Sequence, residues 1–147
     1  MSTSDINQIL QQIGQSVPGI RHVILMDKTG LMVAVFSKYV FKQIDLDAVG
    51  AIMGAVFQAA EEESNSLEFG GLEIQINEFK TGFRFAVACE DIGVLAVVTD
   101  KDVQIGLVRA SMKKYASTLA KAMKKTFSTS NARAMEDLRD LFSSDGL

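Results

Sequence analysis

What this chain lacks narrows its chemistry. It has one cysteine, Cys89, so no internal disulfide can form and nothing points to an oxidising compartment. Its one histidine, His22, cannot combine with that single thiol into the clustered ligand set that a zinc site requires. Tryptophan is absent and proline occurs once, at Pro18. Apolar runs such as Val94 to Val98 are far shorter than the roughly 20 residues that span a bilayer. The polar start from Met1 to Gln15 has neither the basic nor the apolar stretch of a secretory signal, so no membrane insertion and a cytoplasmic address are expected. A net charge of −3 and a pI near 5.1 give no electrostatic footprint for nucleic acid.

What is present suits one packed domain. Hydrophobic residues make up 48% of the 147 and charged residues 22%, which is the ordinary globular range. A chain this long buries roughly 68–70% of its unfolded surface. Ile6, Ile9, Leu10, Ile13 and Val17 recur at helical spacing behind Ser4, and Pro18-Gly19 ends the pattern. Arg21 to Asp27 and Leu31 to Phe36 are β-rich runs joined by Lys28-Thr29-Gly30, which predicts a hairpin. Apolar residues at adjacent as well as alternate positions predict strands covered on both faces. Helical spacing returns from Asp45 to Ser64, with Asp45 or Asp47 placed to cap the start.

Three more strands follow at Leu72 to Phe79, Phe83 to Glu90 and Val94 to Asp100, and their short links predict an antiparallel meander. Ile105, Val108, Met112, Ala116, Leu119 and Met123 then mark the buried stripe of a long third helix starting near Asp102. The polar run Ser128 to Asn131 reads as a break. Beyond it Met135, Leu138 and Leu141 or Phe142 make a tail that is either a short amphipathic helix or disordered. One domain over 1–127 and a tail over 128–147 follow.

Catalysis finds little support. His22 and Cys89 lie far apart in sequence, and a partly exposed strand histidine with a small core thiol is the simpler account. Gly70-Gly71 lacks the Lys-Ser/Thr end of a phosphate-binding loop, and Lys80-Thr81-Gly82 joins two strands instead of opening a helix. Arg21, Arg84 and Arg109 are candidates for contacting a transferring phosphoryl group, and no motif singles one out. Arg109, Lys113, Lys114, Lys121, Lys124 and Lys125 lie off the third helix's apolar stripe and read as a solvated face, with contact to an acidic protein partner as the alternative. No convergent polar set is visible inside the core, so no cofactor, metal or catalytic residue is assigned.

The second helix is the informative feature, because it is apolar nearly all round. Val49, Ile52, Met53, Val56 and Ala60 can face the sheet, leaving Ala48, Ala51, Ala55, Gln58 and Ala59 as a flatter second stripe. Gly50 and Gly54 cost roughly 1 kcal/mol each against Ala, so a close neighbouring surface must compensate. In the third strand Leu72, Ile74 and Ile76 alternate with polar residues, with no proline or central lysine to blunt an edge. Both surfaces invite self-association.

The element order α-β-β-α-β-β-β-α resembles the roadblock family, named for a dynein light chain and shared with GTPase regulators. Val17-Pro18-Gly19-Ile20 leading into Val23 to Asp27 and Thr29-Gly30-Leu31 is similar to the family's opening. Gly70-Gly71-Leu72 and Ile105-Gly106-Leu107-Val108-Arg109 fit as well, and the resemblance covers about residues 4 to 127. It implies an α/β fold with a five-stranded, mostly antiparallel sheet covered by helices on both faces. It further implies a non-catalytic dimer, of two copies or with a related roadblock chain, pairing central helices and third strands. The implied partner is a Ras-like small GTPase, bound and regulated, with a structural light chain or scaffold subunit as the alternative. Tyr39, Phe41, Glu61 and Glu62 are the partner-binding candidates, and a loop folded over the domain's own core is the equal alternative for the two aromatics.

Overall fold

The computed structural model describes residues 2–38 and 44–144, with side chains over 5–38 and 44–143. Tyr39 and Phe41 fall outside the described residues. Three helices and five strands follow in the order α1 (Ser2–Ser16), β1 (Ile20–Asp27), β2 (Met32–Ser37), α2 (Leu46–Ser66), β3 (Gln75–Glu78), β4 (Gly82–Cys89), β5 (Gly93–Asp100) and α3 (Ile105–Ser144). The sheet runs β2-β1-β5-β4-β3, and every neighbouring pair is antiparallel. The β1–β2 hairpin therefore joins the β3–β4–β5 meander through β1 and β5, leaving β2 and β3 as the edges.

Alternation along the strands divides the core in two. Val23, Leu25, Phe85, Val87, Leu95 and Val97 face α1 and α3, which contribute Ile6, Leu10, Ile13, Val108, Met112 and Leu119. Ile24, Met26, Ala86, Val94 and Ala96 face the other way, where α2 supplies Met53 and Phe57. Helices thus cover both faces, unequally. Two buried large side chains stabilise α2 by roughly 3–6 kcal/mol, a thin anchorage for a helix of 21 residues.

Local chemistry explains the element ends. Asp45 caps α2, its Oδ1 accepting from the Ala48 N–H at 3.2 Å. In the β1–β2 turn, Asp27 Oδ1 accepts from Thr29 N–H (2.8 Å), Thr29 Oγ1 (2.6 Å) and Leu31 N–H (3.1 Å). Gly30 closes that turn with φ 87°, where a side chain would be strained. Burial works to raise the Asp27 pKa, but the hydrogen bonds from Thr29, Leu31 and Gly30 outweigh it and hold the carboxyl below its ordinary value.

Four expectations need correction. The third strand covers only Gln75–Glu78: Leu72 packs toward the α2 side and Ile74 toward the α1/α3 core, ahead of the pairing with β4. The polar run at 128–131 is no break, since α3 continues through it to Ser144, about 60 Å in all. Ile52 does not face the sheet; it is 63% exposed, and Gly50, Met53, Gly54 and Phe57 are the buried positions of α2. Helix α1 also begins ahead of Ser4, at Ser2.

The glycine pair now has a cause within the domain. A Cβ on Gly54 would lie 2.6 Å from the Cα of Gly30, so α2 rests directly on the hairpin turn. Gly50 has more room, its nearest neighbours being Gly30 O and Met26 Sδ at 3.6 Å. Gly54→Ala should therefore destabilise the fold by about 1–3 kcal/mol, since backbone must move. Gly50→Ala should be neutral or stabilise by up to about 1 kcal/mol through helix propensity. Urea denaturation of both variants checks the opposite signs.

Candidate functional site

The thin anchorage of α2 leaves apolar surface on show. Ala48, Ala51, Ala55, Gln58 and Ala59 are all exposed, as expected for a second stripe, but they do not act as one surface. At 100° per residue, Ala48, Ala55 and Ala59 flank Ile52 on one side of the helix, while Ala51 and Gln58 lie toward the hairpin. Gln58 donates through Nε2 to the Lys28 carbonyl of that hairpin. Its side chain is thereby committed within the domain.

Beside the Ile52 side of α2 lies an open groove of about 540 Å³ over the β1, β5 and β4 strands. Val49, Ile52, Met53 and Val56 form one wall, with Phe79 and Val98 on the sheet side. Two of its polar groups, Arg84 and Arg21, are candidates from the sequence, but that they share one groove is not legible there. Arg84 lines the groove yet is only 7% exposed; its Nη2 donates to Asn77 Oδ1 at 2.8 Å, and its Nε meets no acceptor among the described residues. Burial lowers the Arg84 pKa. Arg21, at the rim, is ion-paired with Asp100. Arg109 sits 3.9 Å from Glu73, outside the groove.

A second cavity lies at the far half of α2, against the β4–β5 turn. Glu61 and Glu62, both singled out from the sequence, line it together with Lys28, Glu90 and Asp91. Lys124 of α3 pairs with Glu90 at 2.9 Å and Asp91 at 3.6 Å, and these carboxylates hold its pKa above the ordinary lysine value. Glu90 has φ 49°, the left-handed conformation of a tight turn. Of the expected strand residues, Ile76 alone lies within β3, on the edge, and it is partly exposed.

Cys89 and His22 are not brought together. Through the β4–β5–β1 ladder, Cys89 stands level with Asp27, two strands across and five residues along β1 from His22, roughly 19 Å away in all. They also occupy opposite faces of the sheet, Cys89 in the α1/α3 core and His22 on the groove side. Burial, and secondarily Glu90, push the Cys89 thiol up to about 12, which suppresses the thiolate. Among the described residues no group of three or more His, Cys, Asp or Glu could hold a metal ion, and no helix is long and apolar enough to cross a membrane.

These features, a five-stranded antiparallel sheet with two helices on one face and a lightly held helix on the other, define a known class. Residues 6–99 match the Roadblock/LC7 domain, and the chain belongs to that family. It is 32% identical over 123 residues to an uncharacterised protein of Methanocaldococcus jannaschii, covering 84% of this chain and 99% of that one. Among solved structures it is similar to the gliding protein MglB of Thermus thermophilus, with TM-score 0.77 and 15% identity over 84% of this chain and 92% of that one. A structure of MglB with a tetrameric arrangement matches with TM-score 0.78 and 16% identity, covering 84% and 91%.

His22 yields a pH prediction. Its Nδ1 lies 2.8 Å from Ser37 Oγ, and burial, followed by repulsion from Arg21, holds its pKa below 6.5. The unfolded chain therefore binds the proton more readily, so stability falls as pH drops below about 6.5 and is fully present above it. Melting temperature should decline on acidification from pH 7 to 5, and His22→Asn should flatten that part of the profile. An unchanged slope in the variant would contradict this assignment.

Proposed function

We propose that two copies pair through the Ile52 side of α2 and the free edge of β3, and that the resulting platform binds and regulates a Ras-like small GTPase. The observation that carries the reading is the outward face of α2. Ala48, Ala55 and Ala59 permit close backbone approach around an exposed Ile52, beside an open apolar groove. An isologous pair covers both helix faces at once and joins the β3 edges into one sheet. Ala48, Ala55, Ala59 and Ile76 remain in this interface with Ile52 added. Gln58, bonded to the hairpin, and Ala51 lie on its far side. Leu72 and Ile74 support the β3 edge from within the fold.

The GTPase is the contribution of family membership, since the family includes GTPase regulators. The similarity to MglB in a tetrameric arrangement supports self-association in this fold. Exposed Glu62 and partly exposed Glu61 offer a rim for a basic patch on such a partner. The platform is read as non-catalytic: Cys89 is buried with its thiolate suppressed, and Arg84 is held to Asn77 under the groove. Residues up to about 127 carry the platform, and α3 extends beyond it.

Immobilised chain should retain a small GTPase from the host in one nucleotide state more than in the other. Ile52→Arg, which breaks pairing while leaving the cores untouched, should reduce retention about tenfold or more. No retention of any GTPase by a dimeric wild type would sink the GTPase reading and favour the scaffold alternative.

A further inference from the structure

We infer that the groove beside α2 receives the α2–β3 loop of the second copy, with Phe69 as the side chain that fills it; this rests on the pairing proposed above and adds what each copy inserts into the other. Within one chain Phe69 is 77% exposed and Leu67 55% exposed. A large aromatic ring in water forgoes the apolar burial that dominates cores and interfaces. The loop that carries it is held in place. Leu67 N–H donates to Glu63 O at 3.0 Å, Glu68 N–H to Asn65 O at 3.1 Å and Phe69 N–H to Ser64 O at 3.0 Å, all within the last turn of α2. Ser64 Oγ donates to the Gly70 carbonyl. Glu68 and Gly70, on either side of Phe69, take left-handed φ values of 59° and 87°. The ring is therefore presented outward in advance, and little ordering is left for docking to impose.

Symmetry decides where the loop arrives. Two β3 edges related by a two-fold axis run antiparallel, so the residues ahead of Gln75 in one copy pass Glu78 and Phe79 of the other. The same axis sets the Ser66 end of one α2 beside the Leu46 end of its mate. Both relations bring the loop to one place. Leu46 and Val49 of α2 and Phe79 after β3 line the groove there, and its volume of about 540 Å³ leaves room for Leu67 behind the Phe69 ring. Apolar walls admit such side chains and penalise a polar one, whose hydrogen bonds to water would be lost unreplaced. The contact is reciprocal, so each pair buries two Phe69 rings. Residue 69 thereby selects the partner, because a related chain with a polar residue at that position pairs more weakly.

The chain has no tryptophan, so Phe69→Trp places a single fluorescent reporter in the loop. In the full-length dimer its emission should be blue-shifted and its quenching by acrylamide severalfold lower than for the same reporter in the Ile52→Arg chain, with light scattering recording the oligomeric state of both. Adding Val56→Phe, which fills the groove, should return the reporter to solvent. Phe69→Glu should raise the dimer dissociation constant about tenfold or more, with the helical circular dichroism unchanged. A dimer whose reporter is quenched as freely as in the Ile52→Arg chain overturns the inference and leaves the pairing reading standing. So does a reporter that stays shielded in a Val56→Phe dimer. If the larger indole prevents pairing, Phe69→Glu still decides, since an unchanged dissociation constant overturns the inference as well. A wild type that never pairs overturns both readings together.

Discussion

The rest of this structure depends on the contact between Gly54 and Gly30. One glycine lies on the inner face of α2 and the other closes the β1–β2 turn: a Cβ on Gly54 would fall 2.6 Å from the Gly30 Cα, while Gly30, at φ 87°, is held to glycine by its backbone. The turn is itself fixed by Asp27, which accepts three hydrogen bonds from Thr29 and Leu31. A short chain of causes follows. The carboxylate shapes the turn, the turn receives the helix, and Gln58 bonds back to Lys28 to complete the seat. The helix is held low at that point and anchored laterally by buried Met53 and Phe57, with Leu46 and Val49 partly buried beside them. Its other side is left standing beside an open stretch of sheet.

That asymmetry separates the two faces of the domain. The α1/α3 face is a conventional core, closed by long apolar stripes and by the Ser16–Ser111 hydroxyl contact at 2.9 Å. The α2 face is unfinished, with a groove toward one end of the sheet and an acidic cavity toward the other. A domain whose surface is stabilised mainly on one side can present the other to partners without risking its own fold. The uneven core thus links packing to the proposed platform.

Much of this is legible from residue spacing. Strands β1, β2, β4 and β5 lie within one residue of their expected bounds, because Gly and Asp punctuate apolar runs that admit no helical period. The failures are equally physical. Leu72, Glu73 and Ile74 alternate like a strand, yet alternation records only which way side chains point and not whether a neighbour is paired. Ser128 to Asn131 reads as a break, but without Gly or Pro the propensity cost is only a few tenths of a kcal/mol per residue. Spacing turns Ile52 the wrong way because Gly50 and Gly54 carry no hydrophobic signal, although they are the inner face. Arg84 sits in an apolar run, Phe83-Arg84-Phe85, and no spacing tells that the fold lays it under a groove.

The central claim is that the α2 face and the β3 edge are self-complementary surfaces. Multi-angle light scattering of the wild type over a range of micromolar concentrations tests it most directly. The account predicts a species of twice 16.0 kDa that returns to 16.0 kDa in Ile52→Arg with the helical circular dichroism intact. A wild type that stays at 16.0 kDa at every concentration would contradict it.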